Sequence, residues 1–362
     1  METGRREFIS VAALSLAGLA VGCASVAPVT FKDILPERGN EKMNDYIEMI
    51  KYAAMAPSGH NTQPWIFKIF NNKIIITPDL KRKCPAVDPE DRELYIGLGC
   101  ALENLLTAGE YLGYNSVTDI VPIGKESEIV ITPEKTGICG NELFQYIPIR
   151  QCSRSEYRST KIKESDLTEL ESVKIDDCNY TRLINSPEET SEIIKLVKEG
   201  NELQMGNRDF MDELISWIRF NDDEIIFHRD GLAGKCTGSP SVPRWMGKLF
   251  MNLFVGAGSQ NSKDEKNILS SSAVVLFASK ENNQKSWINM GRLYQRYALR
   301  LTKLGITSAF INQPCESKSL NQRLNTVFGL GTDYPQMLIR IGYGESMPYS
   351  VRRNLSDMME VI

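Results

Sequence analysis

A chain of 362 residues is too long for one small core and points to two domains or one two-lobed unit. With 42% hydrophobic and 24% charged residues it has the make-up of a globular protein, which excludes a disordered chain. A net charge of −4 without a basic stripe argues against nucleic acid as the main partner.

The first stretch, RREFISVAALSLAGLAVGC, sets Arg5-Arg6 before a short apolar run that ends at Gly22-Cys23. A charged start, an apolar stretch and a small-residue site make an export signal, and the run falls short of the ~20 residues a membrane span needs. The paired arginines resemble a twin-arginine signal, and AVGC resembles a lipoprotein processing site with Cys23 as the lipid acceptor. Residues 1–23 are therefore read as an export signal of lipoprotein type. An uncleaved N-terminal helix is the competing reading. The twin-arginine route carries proteins already folded, often with a cofactor loaded, which is a first hint of a bound cofactor.

Residues 24–42 are polar, contain Pro28, Pro36 and Gly39, and read as a linker. The spacing of Ile47, Ile50 and Ala54 predicts a helix over 43–56 that stops at Pro57. After the loop APSGHNTQPW come two strands, 66–69 and 73–77, joined by an Asn-Asn hairpin turn. PAVDPEDREL reads as a loop entering a helix, with Asp88 or Asp91 near its N-terminus. The helix expected over 98–112 is apolar on most of its circumference, hence buried on all sides, and Gly113 supplies a left-handed C-cap. GLGCAL lacks the third glycine and acidic partner of a dinucleotide turn and is read as the start of that helix.

MGRLYQRYALRLTKLGI (290–306) lines up with LGCALENLLTAGEYLGY (98–114) at an offset of 192, pairing Gly99 with Gly291 and Gly113 with Gly305. AVVLFAS (273–279), upstream of the second copy, is a buried strand. The pattern suggests two copies of one α+β unit, each with a long central helix. The second unit opens near 146–162; a helix over 187–206 follows, and another runs through ELISWIRFNDDE. The insert at about 229–262 is long enough to act as a lid. The chain closes on a strand and a basic tail.

The eight cysteines are scattered without a C-x-x-C pair, so they spell neither a disulfide framework nor a zinc site. With only His60 and His228, a His-rich metal site is excluded by supply. Three groups remain for chemistry. Pro57, Ser58, Gly59, His60 and Asn61 put a hydroxyl, a bare backbone and a carboxamide in one turn, which suits a flat heterocycle, although an ordinary loop anchored by Trp65 explains it as well. Arg150, Ser153 and Arg154, with Arg158 beyond, suit a phosphate or, equally, a solvated basic face. Arg352-Arg353 follow a Gly-Tyr-Gly turn and read alone as surface charge.

Taken jointly, these pieces resemble the nitroreductase-like FMN flavoproteins over nearly everything after residue 43. APSGHNTQPW is similar to that family's flavin-gripping loop, which implies cofactor contacts from Pro57, Ser58, Gly59, Asn61 and Gln63. The run from Ile147 to Tyr157 resembles its phosphate motif, implying Arg150, Gln151, Ser153 and Arg154; the motif is shifted by one residue, so Gln151 and Cys152 are less certain contacts. GCALENLLTAGEYLG resembles the central dimer-interface helix. INQPCE (311–316) resembles the loop whose backbone amide faces flavin N5, here near Cys315 and Glu316. LIRIGYG with Arg352 and Arg353 resembles the closing strand and basic tail.

The order of the pieces implies more. In the homodimeric family each FMN lies between two subunits. Here a first half, 43–145, carries the P-S-x-x-N loop but an export signal where its phosphate motif should be. A second half, 146–362, carries the phosphate motif, the N5 loop and the tail. The resemblance is to the tandem, Acg-like branch: an α+β chain folded as an intrachain pseudo-dimer with one composite FMN site, expected as a monomer. It implies an oxidoreductase passing electrons from NAD(P)H to a quinone-like or nitroaromatic acceptor, with no side-chain acid required. The alternative is an FMN-storing protein under a closed lid. Small molecules are the expected partners, the cell envelope the expected location, and a lipidated Cys23 the expected membrane attachment.

Overall fold

The structure, a computed structural model, describes residues 41–362; the export signal, Cys23 and almost all of the expected linker lie outside the described residues. Helix α1, Glu41–Ala53, begins inside the stretch expected to be linker and buries Tyr46, Ile47, Met49, Ile50 and Ala53 along one face. Strands β1 (Trp65–Phe70) and β2 (Lys73–Pro78) pair antiparallel. Asn71 and Asn72 both take positive φ (48° and 60°), the conformation a two-residue hairpin demands.

Helix α2 runs Arg92–Tyr111 and so starts six residues before the expected residue 98; GLGCAL lies within it, not at its start. Its first turn sets Arg92 and Glu93 before the buried Leu94 and Tyr95. The Asp88 carboxylate accepts from the Leu94 amide at 3.0 Å, closing one of the open donors of that turn. Gly113, φ 84°, ends the helix in the left-handed region as expected. The hairpin β3 (Tyr114–Ile123) and β4 (Glu126–Lys135) follows.

The rest of the chain is helix-rich. Helix α3 (Glu164–Glu171) leads to β5 (Asn179–Ile184). Helix α4 (Pro187–Gly206) is capped by the Ser186 hydroxyl accepting from the Glu189 amide, with Pro187 in the first turn. Then come α5 (Arg208–Trp217), β6 (Ile218–Arg219), α6 (Asp222–His228), β7 (Leu232–Ala233), α7 (Arg244–Phe254) and α8 (Ala257–Leu269). Strand β8 (Ala273–Ser279), buried throughout, precedes α9 (Gln284–Lys303) and β9 (Thr307–Phe310). The chain ends with α10 (Gln313–Glu316), α11 (Lys318–Phe328), β10 (Tyr334–Gly342) and β11 (Met359–Val361).

Beside the short parallel pair β6-β7, two larger sheets result, ordered β11-β1-β2-β4-β3 and β5-β8-β10-β9. Leaving out β11, each reads first, second, fourth, third strand of its set, all antiparallel, with the long helix α2 or α9 between second and third. Strand β11 crosses over and adds parallel to β1 (Phe67 beside Met359), so the C-terminus is built into the first sheet.

Helices α2 and α9 pack at a shared pair of glycines. A Cβ on Gly99 would overlap the carbonyl oxygen of Ile288, and a Cβ on Gly291 that of Ile96. The two clashes are reciprocal and obey the offset of 192 seen in the sequence. Beside them the buried Glu103 carboxylate takes Arg292 Nε at 3.2 Å and Arg296 Nε at 2.6 Å, and Gln295 Nε2 donates to Asn104 Oδ1 at 2.6 Å. Both Glu103 oxygens thus meet a cationic donor, which offsets the cost of burying the carboxylate.

Candidate functional site

The loop after α1 is strained by its own sequence. His60, Asn61 and Gln63 all take positive φ (48°, 55° and 53°), although none is glycine. Each such residue costs of order 1–3 kcal/mol and persists only where its surroundings hold it. Here the holding is visible. The Ser58 hydroxyl accepts from the Gln63 amide at 2.9 Å, and the buried Gln63 side chain donates from Nε2 to Arg229 O (2.9 Å) and accepts at Oε1 from the Arg353 amide (2.8 Å). Asn61 Nδ2 donates to Gly231 O (3.1 Å) and Val351 O (3.2 Å), and its Oδ1 accepts from Arg352 Nη1 (2.9 Å). Trp65 closes the loop as the first residue of β1, fully buried in the core.

Two distant segments are thereby brought to the loop: 229–231, the start of the insert, and 350–353, the tail. A buried ion cluster fixes the first. Asp230 takes Arg82 Nη1 at 2.9 Å on one oxygen and Arg219 Nη2 at 2.6 Å on the other, while Arg82 also donates to Thr62 O at 2.8 Å. Arg229 Nε donates to Arg352 O at 3.0 Å, joining insert to tail. Arg353 is spent on structure, donating to Gln63 O (3.0 Å) and Asp357 O (2.6 Å). Arg82, Arg219 and Asp230 were not among the expected site residues. Arg219 and Asp230 are only 11 residues apart, but their link to Arg82 spans 148 residues and no local pattern marks it.

The expected phosphate motif divides. Ser153 is fully buried with its hydroxyl donating to Glu345 O (2.8 Å), and Gln151 Oε1 accepts from the Met347 amide (2.6 Å), so both serve the backbone. Arg154 is exposed. Arg150 is different: it is buried, its guanidinium has no carboxylate partner among the described residues, and its Nε–H has no acceptor. Arg352 likewise keeps a buried Nε–H without acceptor. Burial, with the Arg150 charge next, pulls the Arg352 guanidinium down to about 9. His60 belongs to the same neighbourhood: burial, then the Arg154 charge, lowers it to about 4, so it is neutral at pH 7, and its Nε2 has no partner. A buried cation with an open donor calls for an anion, and two that repel each other call for one more strongly.

The loop expected to offer an amide to a flavin uses it otherwise. The amides of Cys315 and Glu316 both donate to Asn312 O, at 2.7 and 3.2 Å, as the turn of α10. That corrects the assignment of a free donor to these two positions: a helical turn closes on its own carbonyl. What α10 does bring is a carboxyl pair. Glu93, from the first turn of α2, accepts from Asn312 Nδ2 at 3.1 Å and faces Gly59 of the strained loop. Glu316 is its neighbour and accepts from Gln204 Nε2. Burial, with Glu316 next, pushes Glu93 up to about 8. Burial raises Glu316 as well, so the pair retains a proton near neutrality. Glu93 was read in the sequence only as part of a loop entering a helix.

The pair has a stability consequence. A carboxyl whose folded value lies above its ordinary 4.5 holds a proton that the unfolded chain releases. Its contribution is complete below 4.5 and is lost as pH rises through about 8. Glu93→Gln should therefore flatten the fall in melting temperature across that interval and leave the acid side little changed. Equal slopes for parent and variant would show that Glu93 titrates normally.

No protein-family model matches the sequence. By sequence, the chain is 23% identical over 324 residues, 86% of its length and 90% of the relative's, to a protein of Mycobacterium tuberculosis strain H37Rv named provisionally as an NAD(P)H nitroreductase; its counterpart in strain CDC 1551 matches equally. Among solved structures, the nitroreductase-like protein of Bacillus cereus shares 14% identity at a TM-score of 0.37, covering 62% of this chain and 97% of that one. The FMN-dependent nitroreductase NfnB of Mycobacterium smegmatis, in complex with NADPH, shares 12% at 0.38, covering 59% and 94%. A Bacteroides fragilis nitroreductase with bound FMN shares 15% at 0.31, covering 57% and 90%. The sequence comparison supports a nitroreductase-like relationship that spans most of the chain.

Proposed function

We propose that this chain is an FMN-dependent oxidoreductase of the nitroreductase type, passing electrons from NAD(P)H to a quinone-like or nitroaromatic acceptor. One observation carries the reading: buried Arg150 and half-buried Arg352 repel each other, each keeps a buried Nε–H without an acceptor among the described residues, and Arg352 also holds Asn61 of the strained 57–63 loop. A phosphate monoester is the chemistry that satisfies them, and FMN has one. The mycobacterial relatives' name and the FMN of the B. fragilis structure support the choice.

Bound there, FMN would supply the hydride and electron chemistry. The protein's own tasks follow from its residues. Arg150 and Arg352, with Arg154 at the exposed edge, would hold the phosphate. The 57–63 loop would hold the ring system through its backbone. The Glu93 and Glu316 carboxyls keep a proton beside Gly59, where a reduced acceptor needs one.

The matching strand orders, the reciprocal Gly99–Gly291 contact and the crossing of β11 support the reading of two tandem halves, 43–145 and 146–362, as an intrachain pseudo-dimer with one composite site. A monomer is the expected state. The N-terminal Arg5-Arg6 and Cys23 support export to the cell envelope with lipid attachment.

A second reading, FMN storage, is favoured by one feature: Asn61 and Gln63 are saturated by the insert and tail, which latches the loop shut. The visible spectrum of the purified chain, taken before and after anaerobic addition of NADH or NADPH, separates the two. Bleaching of a flavin band is expected. A yellow protein that does not bleach favours storage, and a colourless one that takes up no added FMN overturns both.

A further inference from the structure

The insert carries a surface that electron transfer does not use. Helix α7 (RWMGKLFMNLF) seats Gly247 against the Phe220 ring and turns its apolar residues outward, apart from the half-buried Met251. Trp245 and Phe254 are 69% and 68% exposed, and Met246, Leu249, Phe250 and Leu253 are also exposed. At 100° per residue these six positions fill about half of the helix circumference as one continuous arc. Helix α6, tied to α7 by Arg244 on Glu224 at 3.0 Å, adds exposed Ile226 and Phe227. A monomer rarely leaves so much apolar surface together without a partner for it.

The charge around the arc says which partner. From Gly231 to Lys263 the chain has no Asp or Glu and carries Lys235, Arg244, Lys248 and Lys263, in a protein whose net charge is −4. Lys248 flanks the arc and has no ion-pair partner among the described residues. Lys235 and Arg244 are paired with Asp222 and Glu224 of α6, so Lys248 is the open charge of α7, and a second copy on a two-fold axis would bring two such lysines together, which costs association. The acids of the neighbouring α6 do not remove this charge from α7 itself, which has no Asp or Glu, and a Trp/Phe/Leu arc on a helix with an open lysine is the pattern of a helix lying in the headgroup layer of a bilayer. At eleven residues α7 cannot cross one, and no helix among the described residues is long and apolar enough to do so.

We propose that α7 is a membrane-surface docking helix that lays its Trp245–Phe254 arc into an anionic bilayer, independently of the N-terminal segment and of the flavin reading. The test uses the full chain and its own tryptophans. Of the four, Trp65 and Trp287 are buried, Trp217 is half-buried, and Trp245 is the exposed one. With vesicles of phosphatidylglycerol and phosphatidylcholine, emission should move to the blue and be quenched by brominated acyl chains. Both effects should disappear in Trp245→Phe, while vesicle co-sedimentation persists. Added salt should weaken partitioning. Lys248→Gln should weaken it about fivefold, the share of one cation near an anionic surface. Unmoved emission overturns the proposal, as does an equal response to phosphatidylcholine alone. A blue shift that grows with protein concentration in the absence of vesicles, together with a dimer mass, assigns the arc to self-association instead.

Discussion

Arg150→Met should make the flavin-free chain more stable and its grip on FMN weaker. The two effects share one cause. Among the described residues Arg150 has neither a carboxylate partner nor an acceptor for Nε, and its charge helps depress Arg352. Methionine keeps an apolar stem of similar length and removes the repulsion, so the melting temperature without flavin should rise. Arg352 should then move back up toward its ordinary value. FMN loses a charge-assisted hydrogen bond worth ~1.5–3 kcal/mol, which lowers affinity about ten- to a hundredfold. Ligand stabilisation follows affinity, so the rise in melting temperature on saturating with FMN should shrink in the variant. A structural arginine would behave the other way: stability would fall and flavin affinity would hold. Opposite signs in the two measurements are what a residue kept for its ligand shows, because binding sites retain charges that folding alone would discard.

Gly99→Ala and Gly291→Ala should each destabilise the chain by roughly 3 kcal/mol, at the upper end of overpacking costs. Each added Cβ meets a backbone carbonyl, of Ile288 or Ile96, and not a side chain that could rotate away. Relief requires that α2 and α9 move apart, which also loosens the Glu103 pairs with Arg292 and Arg296. Once one Cβ has separated the helices, the second meets less resistance. The double variant should therefore cost clearly less than the sum, a coupling within the 0.5–3 kcal/mol seen for contacting residues. Denaturant titration of the four proteins reads it directly. Additive losses would mean that the two glycines do not share one helix–helix contact. Gly200→Ala, which meets the Gln313 side chain and backbone away from this seam, should add to either glycine variant without coupling.

Much of this architecture was legible in the residues because local rules wrote it. Asn71-Asn72 between two apolar runs can only close a tight hairpin, and the Gly113 stop follows from a left-handed φ that glycine tolerates. The repeat offset of 192 named Gly99 and Gly291 before either was seen to touch. The early start of α2 was not legible, because the bond that holds it, from the Leu94 amide to the Asp88 carboxylate, is a side-chain contact that apolar periodicity does not register.

The candidate site divides along the same line. The sequence by itself determined where the strained loop, the buried strands and the arginine-bearing segments lie, since turn chemistry and periodicity act over a few neighbouring residues. Only the tertiary structure decided which arginine is left without a partner. Ser153, Gln151 and Arg353 are consumed by backbone groups more than one hundred residues away or by the tail's own turn; Arg352 spends Nη1 on Asn61 and Nη2 on Met55 O and keeps only Nε open, while Arg150 has no ion-pair partner among the described residues and an open Nε. It also decided that Glu93 meets Glu316 and that Asp230 bridges Arg82 and Arg219. The reason is physical: a propensity belongs to a residue and its neighbours, but desolvation and charge pairing belong to whatever the fold brings within a few ångströms.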